Sequence, residues 1–200
     1  MGYTSKAVLI NTNTIIEKRP SLLQPNLTKR TFQTIENNKI WLGDITYIPL
    51  KERTLYLSVF ICVCTRKVVG WAMSPRMTTQ SVVDFFLQSF GKEHPKPGLI
   101  FHTNQGSQYS SSKFQEEVSK KEVISSMCCK GNPCDNALME SFYKTIKIEL
   151  IDDTQFRDID QAQMEIFKYI ETYYNTKRMH SALDYQSPRD FERNSTYSLN

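Results

Sequence analysis

The chain has 200 residues with 25 Lys and Arg against 21 Asp and Glu, a formal charge of +4, and is 40% hydrophobic and 23% charged. This is ordinary globular usage, which excludes disorder throughout, and the length suits one domain or one domain with appendages. The longest apolar stretch, within Leu57–Cys64, is too short to cross a bilayer, and MGYTSKAVLI is no secretory leader, so the expectation is a soluble, cytoplasmic chain without a membrane partner.

The charge surplus is local. Residues 1–39 hold six bases, among them Lys29 and Arg30, against two acids, while the remainder sums to zero. With Pro20, Pro25 and no apolar period, this segment reads as a basic arm or linker. Either a solvated leader or an arm laid along phosphates fits that charge. Downstream, Ile40–Ile48, Leu55–Thr65 and Lys67–Met73 are Val-, Ile- and aromatic-rich runs with short polar connectors, which predicts a three-stranded antiparallel meander. Thr79–Phe90 places Val82, Val83, Phe86, Leu87 and Phe90 on one helical face behind a Thr cap. Gly98–Thr103 is a short buried strand, Ser110–Lys121 a helix with a Ser cap, and Val123–Met127 another strand. Asp135–Leu150 repeats Leu138, Phe142, Ile146 and Leu150 every four residues, with Met139 and Tyr143 beside them, an amphipathic helix capped by Asp135. A last helix near Asp160–Tyr174 runs into the basic, aromatic tail YYNTKRMHSALDYQSP. Strands first, then alternating helix and strand, predict a mixed α/β sheet covered by helices.

The five cysteines are an odd number without an export signal, which argues against a disulfide scaffold. Cys62-x-Cys64 lacks the paired histidines of a zinc site. Three positions carry more chemistry. Asp44 interrupts an apolar strand, an unfavourable place for an acid. Asn104 opens the polar turn Asn104–Ser107 after the GLIFHT strand. Glu140 lies one turn into its helix, with Lys144 and Lys147 following on the same polar face. Such a stripe suits metal plus phosphate, and it equally suits a plain solvated face. His102 is either a neighbour of that turn or a buried, hydrogen-bonded strand histidine, and Trp41 and Trp71 read as core.

WLGDITYI, IFHTNQGSQYSS, KGNPCDNALMESFYKTIKIEL and YYNTKRMHSALDYQSPRDF resemble, in order, successive blocks of bacterial insertion-sequence transposases of the IS-three type. The resemblance covers about Ile40 to Phe191. It implies a ribonuclease H-like, retroviral integrase-like α/β fold: a mixed five-stranded sheet flanked by helices. It divides the chain into a linker at 1–39, a catalytic core at 40–152 and a C-terminal helical extension and tail at 153–200. The family works on DNA, both element ends and target, as a multimer. A helix-turn-helix region, missing here or supplied by a separate partner, would precede the linker, and the protein would associate with the nucleoid when bound to DNA. Its Asp-Asp-Glu triad, which holds two Mg²⁺ or Mn²⁺ ions, maps onto Asp44, position 104 and Glu140, with 35 residues between the last two. At 104, however, this chain has Asn where the family has Asp. The resemblance also puts Lys144, Lys147 and Arg178 on DNA and implies packing roles for Tyr174, Asn175, Ser187 and Pro188. A carboxylate-poor triad implies weakened metal binding and impaired strand transfer. The alternative is a non-catalytic DNA-binding or assembly module.

Overall fold

The computed structural model describes residues 23–27, 34, 36–51, 53–128 and 137–197. Three strands form the predicted meander: β1 (Ile40–Pro49), β2 (Thr54–Cys62) and β3 (Val68–Ser74), paired antiparallel. Helix α1 (Thr79–Glu93) starts where the Thr78 hydroxyl accepts the Ser81 N–H, and it ends at His94, which is left-handed at φ 45°. Strand β4 (Ile100–Thr103), helix α2 (Ser112–Lys120) and strand β5 (Ile124–Met127) follow. β4 runs parallel to β1, and β5 parallel to β4, so the five-stranded sheet has the order β3-β2-β1-β4-β5.

Alternation along β1 and β2 feeds two cores, one on each sheet face. Trp41, Phe60, Phe86, Phe101 and Phe114 pack on the face that α1 and α2 cover. Leu42, Ile48, Leu57, Val59 and Ile61 pack on the other face, against α3 (Ala137–Ile146) and α4 (Ile159–Phe167). The two C-terminal helices end in wider, π-type turns, over Lys147–Ile151 after α3 and Lys168–Tyr174 after α4. The buried face of α3 is Met139, Phe142, Tyr143 and Ile146, continuing to Ile151. It is therefore rotated from the four-residue repeat that the sequence predicts: Leu138 and Leu150 are only partly buried. The five-residue step from Ile146 to Ile151 is the spacing that a π turn, not an α turn, keeps on one face. The predicted Asp135 cap lies outside the described residues.

The tail folds back on the sheet. Asn175 is buried and pairs with Val68 as a strand would: its Oδ1 accepts the Val68 N–H at 2.9 Å, and its Nδ2 donates to the Val68 carbonyl at 3.0 Å. Tyr174 packs edge-on against Phe142 at 5.0 Å. A short 3₁₀ turn (Ser181–Leu183) leads to α5 (Pro188–Tyr197), whose first turn is capped by Ser187 through the Asp190 N–H. Lys67 at the start of β3 bridges Glu93 of α1 (2.8 Å) and Glu192 of α5 (3.1 Å). At the opposite edge of the sheet, the Pro25 carbonyl accepts the Met127 N–H, and the Leu27 N–H donates to Ser126 Oγ. Part of the N-terminal segment thus lies along β5.

Candidate functional site

The site follows from strand register. The last parallel pair of β1 and β4 is Gly43 with Thr103, so the next residues along stand side by side, Asp44 still within β1 and Asn104 just past the end of β4. β4 stops there while β1 runs on, and α3 crosses the gap: the Tyr143 hydroxyl donates to the Asp44 carbonyl at 2.7 Å. Gly43 is obligatory in this packing, because a Cβ there would fall 2.6 Å from the Phe101 ring.

Asn104 closes the turn on itself. Its Oδ1 accepts the Gly106 N–H at 2.8 Å, an Asx turn, and a Cβ at Gly106 would meet that same oxygen at 2.8 Å. The other arm of the amide, Nδ2, donates to Asp44 Oδ1 at 2.7 Å. Asp44 Oδ1 also accepts the Ile45 N–H at 2.9 Å. Burial pushes the Asp44 carboxyl up to about 6; the Ile45 N–H opposes that rise, and the nearby Glu140 charge adds to it. Asn104 and Asp44 therefore meet at one end of the sheet, with Glu140 close enough for its charge to act on Asp44.

This donor set differs in kind from three carboxylates. The amide orientation is fixed from both ends: turning it over would set Nδ2 against the Gly106 N–H and Oδ1 against a carboxylate oxygen. The arm of residue 104 that faces Asp44 is thus a hydrogen-bond donor, which no cation can use as a ligand. Asp44 and Glu140 remain as anionic oxygen donors. Among the described residues no group of three His, Cys, Asp or Glu side chains is placed to hold a metal ion.

Lys144 is exposed and Lys147 half-buried on the helical stripe that begins with exposed Glu140, and neither takes a carboxylate partner among the described residues. The Lys147 ammonium sits 5.1 Å from the centre of the Tyr47 ring. Arg178 is engaged elsewhere: its Nη2 and Nε donate to Glu149 Oε1 and Oε2 (2.9 and 3.2 Å) as a forked pair, and that carboxylate also accepts the Tyr169 hydroxyl. Lys29 and Arg30 lie outside the described residues. His102 is fully buried, with Nδ1 2.9 Å from Ser126 Oγ, the buried strand histidine of the two readings. Trp41 is fully buried, whereas Trp71 is half-buried beside Phe167 at the β3 edge. Tyr143 and Tyr47 were not singled out as site residues by sequence reasoning. Tyr143 sits three residues after Glu140, one helical turn on, which was the available signal.

Known proteins share this chain's sequence blocks and fold. Models of the integrase core domain match residues 36–133 and 122–188. The transposase for insertion sequence element IS904 of Lactococcus lactis is 58% identical over 193 residues, covering 96% of this chain and 76% of the relative. Transposase InsF for insertion sequence IS3A of Escherichia coli is 38% identical over 167 residues, 84% of this chain and 58% of the relative. Among solved structures, the HTLV-2 integrase catalytic core domain in complex with magnesium aligns with a TM-score of 0.61 at 18% identity, over 80% of this chain and 99% of that one. A simian T-cell lymphotropic virus intasome chain aligns with a TM-score of 0.66 at 16% identity, over 86% and 59%. These two likenesses establish the fold, a ribonuclease H-like integrase core.

Proposed function

The chain belongs to the IS3 family of insertion-sequence transposases and carries their integrase core domain, and from that premise we propose that it engages the DNA ends of a mobile element but is impaired in cleaving and joining them. The observation that carries the proposal is the hydrogen bond from Asn104 Nδ2 to Asp44 Oδ1. Phosphodiester cleavage and transfer by two ions needs both the attacking and leaving oxygens neutralised. Divalent Mg²⁺ or Mn²⁺ is a hard cation that takes oxygen ligands. Three carboxylates would set −3 against the +4 of such a pair. Here two carboxylates remain, and the third position points an N–H at one of them. The residues present do not fit a two-ion centre. Asn104 instead satisfies Asp44 and the turn together, keeping the site ordered without a cation.

The DNA contacts in this reading are Lys144 and Lys147, which take no carboxylate partner among the described residues on the stripe beside Glu140, with Lys29 and Arg30 of the basic arm. Arg178 reaches a phosphate only by leaving Glu149, so its main role is to tie the tail to the extension of α3. Element ends and target DNA are the substrates, and assembly as a multimer on paired ends follows the family. No helix among the described residues is long and apolar enough to cross a membrane.

The test is a strand-transfer assay on labelled element ends with Mg²⁺ or Mn²⁺, with any helix-turn-helix partner supplied. The chain is expected to bind ends and yield little product, and Asn104→Asp to raise product by orders of magnitude. Full activity of the chain as it stands overturns the impairment; no DNA binding by either protein overturns the DNA-end reading. The second reading, a non-catalytic DNA-binding or assembly module, is favoured by the same hydrogen bond. It predicts salt-dependent but metal-independent binding and no activity from Asn104→Asp.

A further inference from the structure

Beside the site lies an aromatic surface that the triad does not use. Tyr47 and Tyr56 are direct cross-strand partners of β1 and β2, so their side chains share one sheet face. They are 60% and 40% exposed, whereas Trp41 and Phe60, on the same two strands, are fully buried. The two tyrosines form no ring pair with each other. Two partly exposed aromatic rings are therefore set side by side on the sheet. Among the described residues the one cation over either ring is the Lys147 ammonium over Tyr47, held there by the ring and by no acid.

Position ties this shelf to the reaction centre by two independent routes. Tyr47 is three residues beyond Asp44 on a strand, about 10 Å along it and on the other face of the sheet by alternation, where the Lys147 ammonium reaches it. Lys147 is seven residues beyond Glu140 along its helix, again about 10 Å. The two paths leave the carboxylates from different elements and meet at the Tyr47–Lys147 contact. A DNA strand passing Glu140, Lys144 and Lys147 with its phosphates reaches the tyrosines about three stacked nucleotide steps from the reacting bond.

We propose that Tyr47 and Tyr56 form a stacking shelf for an unpaired nucleobase of the DNA strand that flanks the reacting phosphodiester, with Lys147 passing from the Tyr47 ring to the adjacent phosphate. The inference rests on the DNA-end reading above. Its chemistry is that of single-strand binding: aromatic faces take any base, and flanking lysines take the backbone. Cation and ring together distinguish it from a plain apolar contact, since a phosphate removes the lysine and bares the ring for the base. Tyr47 and Tyr56 act in positioning the strand, not in the chemical step.

The experiment uses the full chain and a short duplex with a single-stranded overhang carrying 2-aminopurine, with a blunt duplex as control. The chain and Tyr47→Phe are expected to quench the fluorophore on binding. Tyr47→Ala and Tyr56→Ala lose the quenching and bind the overhang about 5- to 100-fold more weakly, with blunt-duplex affinity unchanged. Lys147→Gln weakens both probes and lowers the salt slope by about 1. Quenching and affinity of both alanine variants within two-fold of the parent overturn the shelf. A change in sedimenting mass for those variants, with DNA binding intact, overturns it in favour of a contact between proteins. If the parent chain binds neither probe, the DNA-end reading falls. If it binds both and the tyrosine substitutions change neither quenching nor affinity, the shelf alone falls.

Discussion

Replacing Asn104 with Asp puts a second carboxylate where an amide now donates to Asp44 at 2.7 Å. Two effects add in the metal-free protein. The charge-assisted hydrogen bond is lost, worth about 1.5–3 kcal/mol. Two carboxylates relaxed to about 4 Å apart repel by about 4 kcal/mol at an effective dielectric constant near 20. The pair can escape part of this by retaining a proton, since Asp44 already stands at about 6 and a second carboxylate raises the pair further. The Gly106 N–H keeps an oxygen acceptor in the variant, so the turn survives. The net expectation is a loss of about 2–4 kcal/mol at pH 7.5, or roughly 2–4 °C in Tm for each kcal/mol. The deficit shrinks toward pH 5, where the shared proton replaces the lost amide hydrogen. Millimolar Mg²⁺ recovers it, because binding to the folded state alone stabilises by mass action. The parent chain gains little from the same Mg²⁺. Thermal and urea unfolding of both proteins, with and without Mg²⁺ between pH 5 and 8, measures all four quantities. A metal-free variant as stable as the parent, or a parent gaining as much from Mg²⁺ as the variant, refutes the reasoning.

Three more perturbations have definite outcomes. Asp44 binds its proton more readily folded than unfolded, with the carboxyl raised from 3.8 to about 6. Its charge therefore costs the fold up to about 3 kcal/mol above pH 6 and nothing below about pH 4. Asp44→Asn, which keeps an oxygen for the Ile45 and Asn104 donors, should be more stable than the parent at pH 7 and equal to it near pH 4; parallel pH profiles in urea titrations contradict this. Lys144→Gln and Lys147→Gln should each lower the slope of log affinity against log salt for DNA by about 1, as loss of one phosphate contact requires, and an unchanged slope places the backbone elsewhere. Asn175→Ala strands the buried Val68 N–H and carbonyl and should cost about 2–4 kcal/mol by denaturant unfolding. A cost below about 0.5 kcal/mol would show that the tail is not held by that clamp.

Much of the architecture was legible because its signals are local. Alternating β-branched and aromatic residues mark β1 to β3, Thr78 and Ser111 cap α1 and α2, and an acid inside β1 flags Asp44. Asn104 and Glu140 were found through motif order and spacing, and parallel register then explains why positions 44 and 104 meet. What stayed hidden depends on distant partners. The π turn after α3 is set by Ile146 and Ile151 seeking one core, which a four-residue repeat ending at Leu150 concealed. Arg178 looks like a free cation until Glu149, 29 residues earlier, is brought to it. Asn175 is a polar residue in a polar tail, and only the fold places it on the backbone of Val68. Tyr47 belongs to a strand that reads as core throughout, and its exposure follows from β1 outrunning β4.

The most direct test of the claim that Asn104 stands where a cation-binding oxygen is needed is a Mn²⁺ titration followed by electron paramagnetic resonance, on the parent chain and on Asn104→Asp. The variant should bind Mn²⁺ at least about ten-fold more tightly, since a hard divalent ion gains an anionic oxygen ligand and loses an opposing N–H. Equal affinity in the two proteins, or tighter binding by the parent, contradicts it.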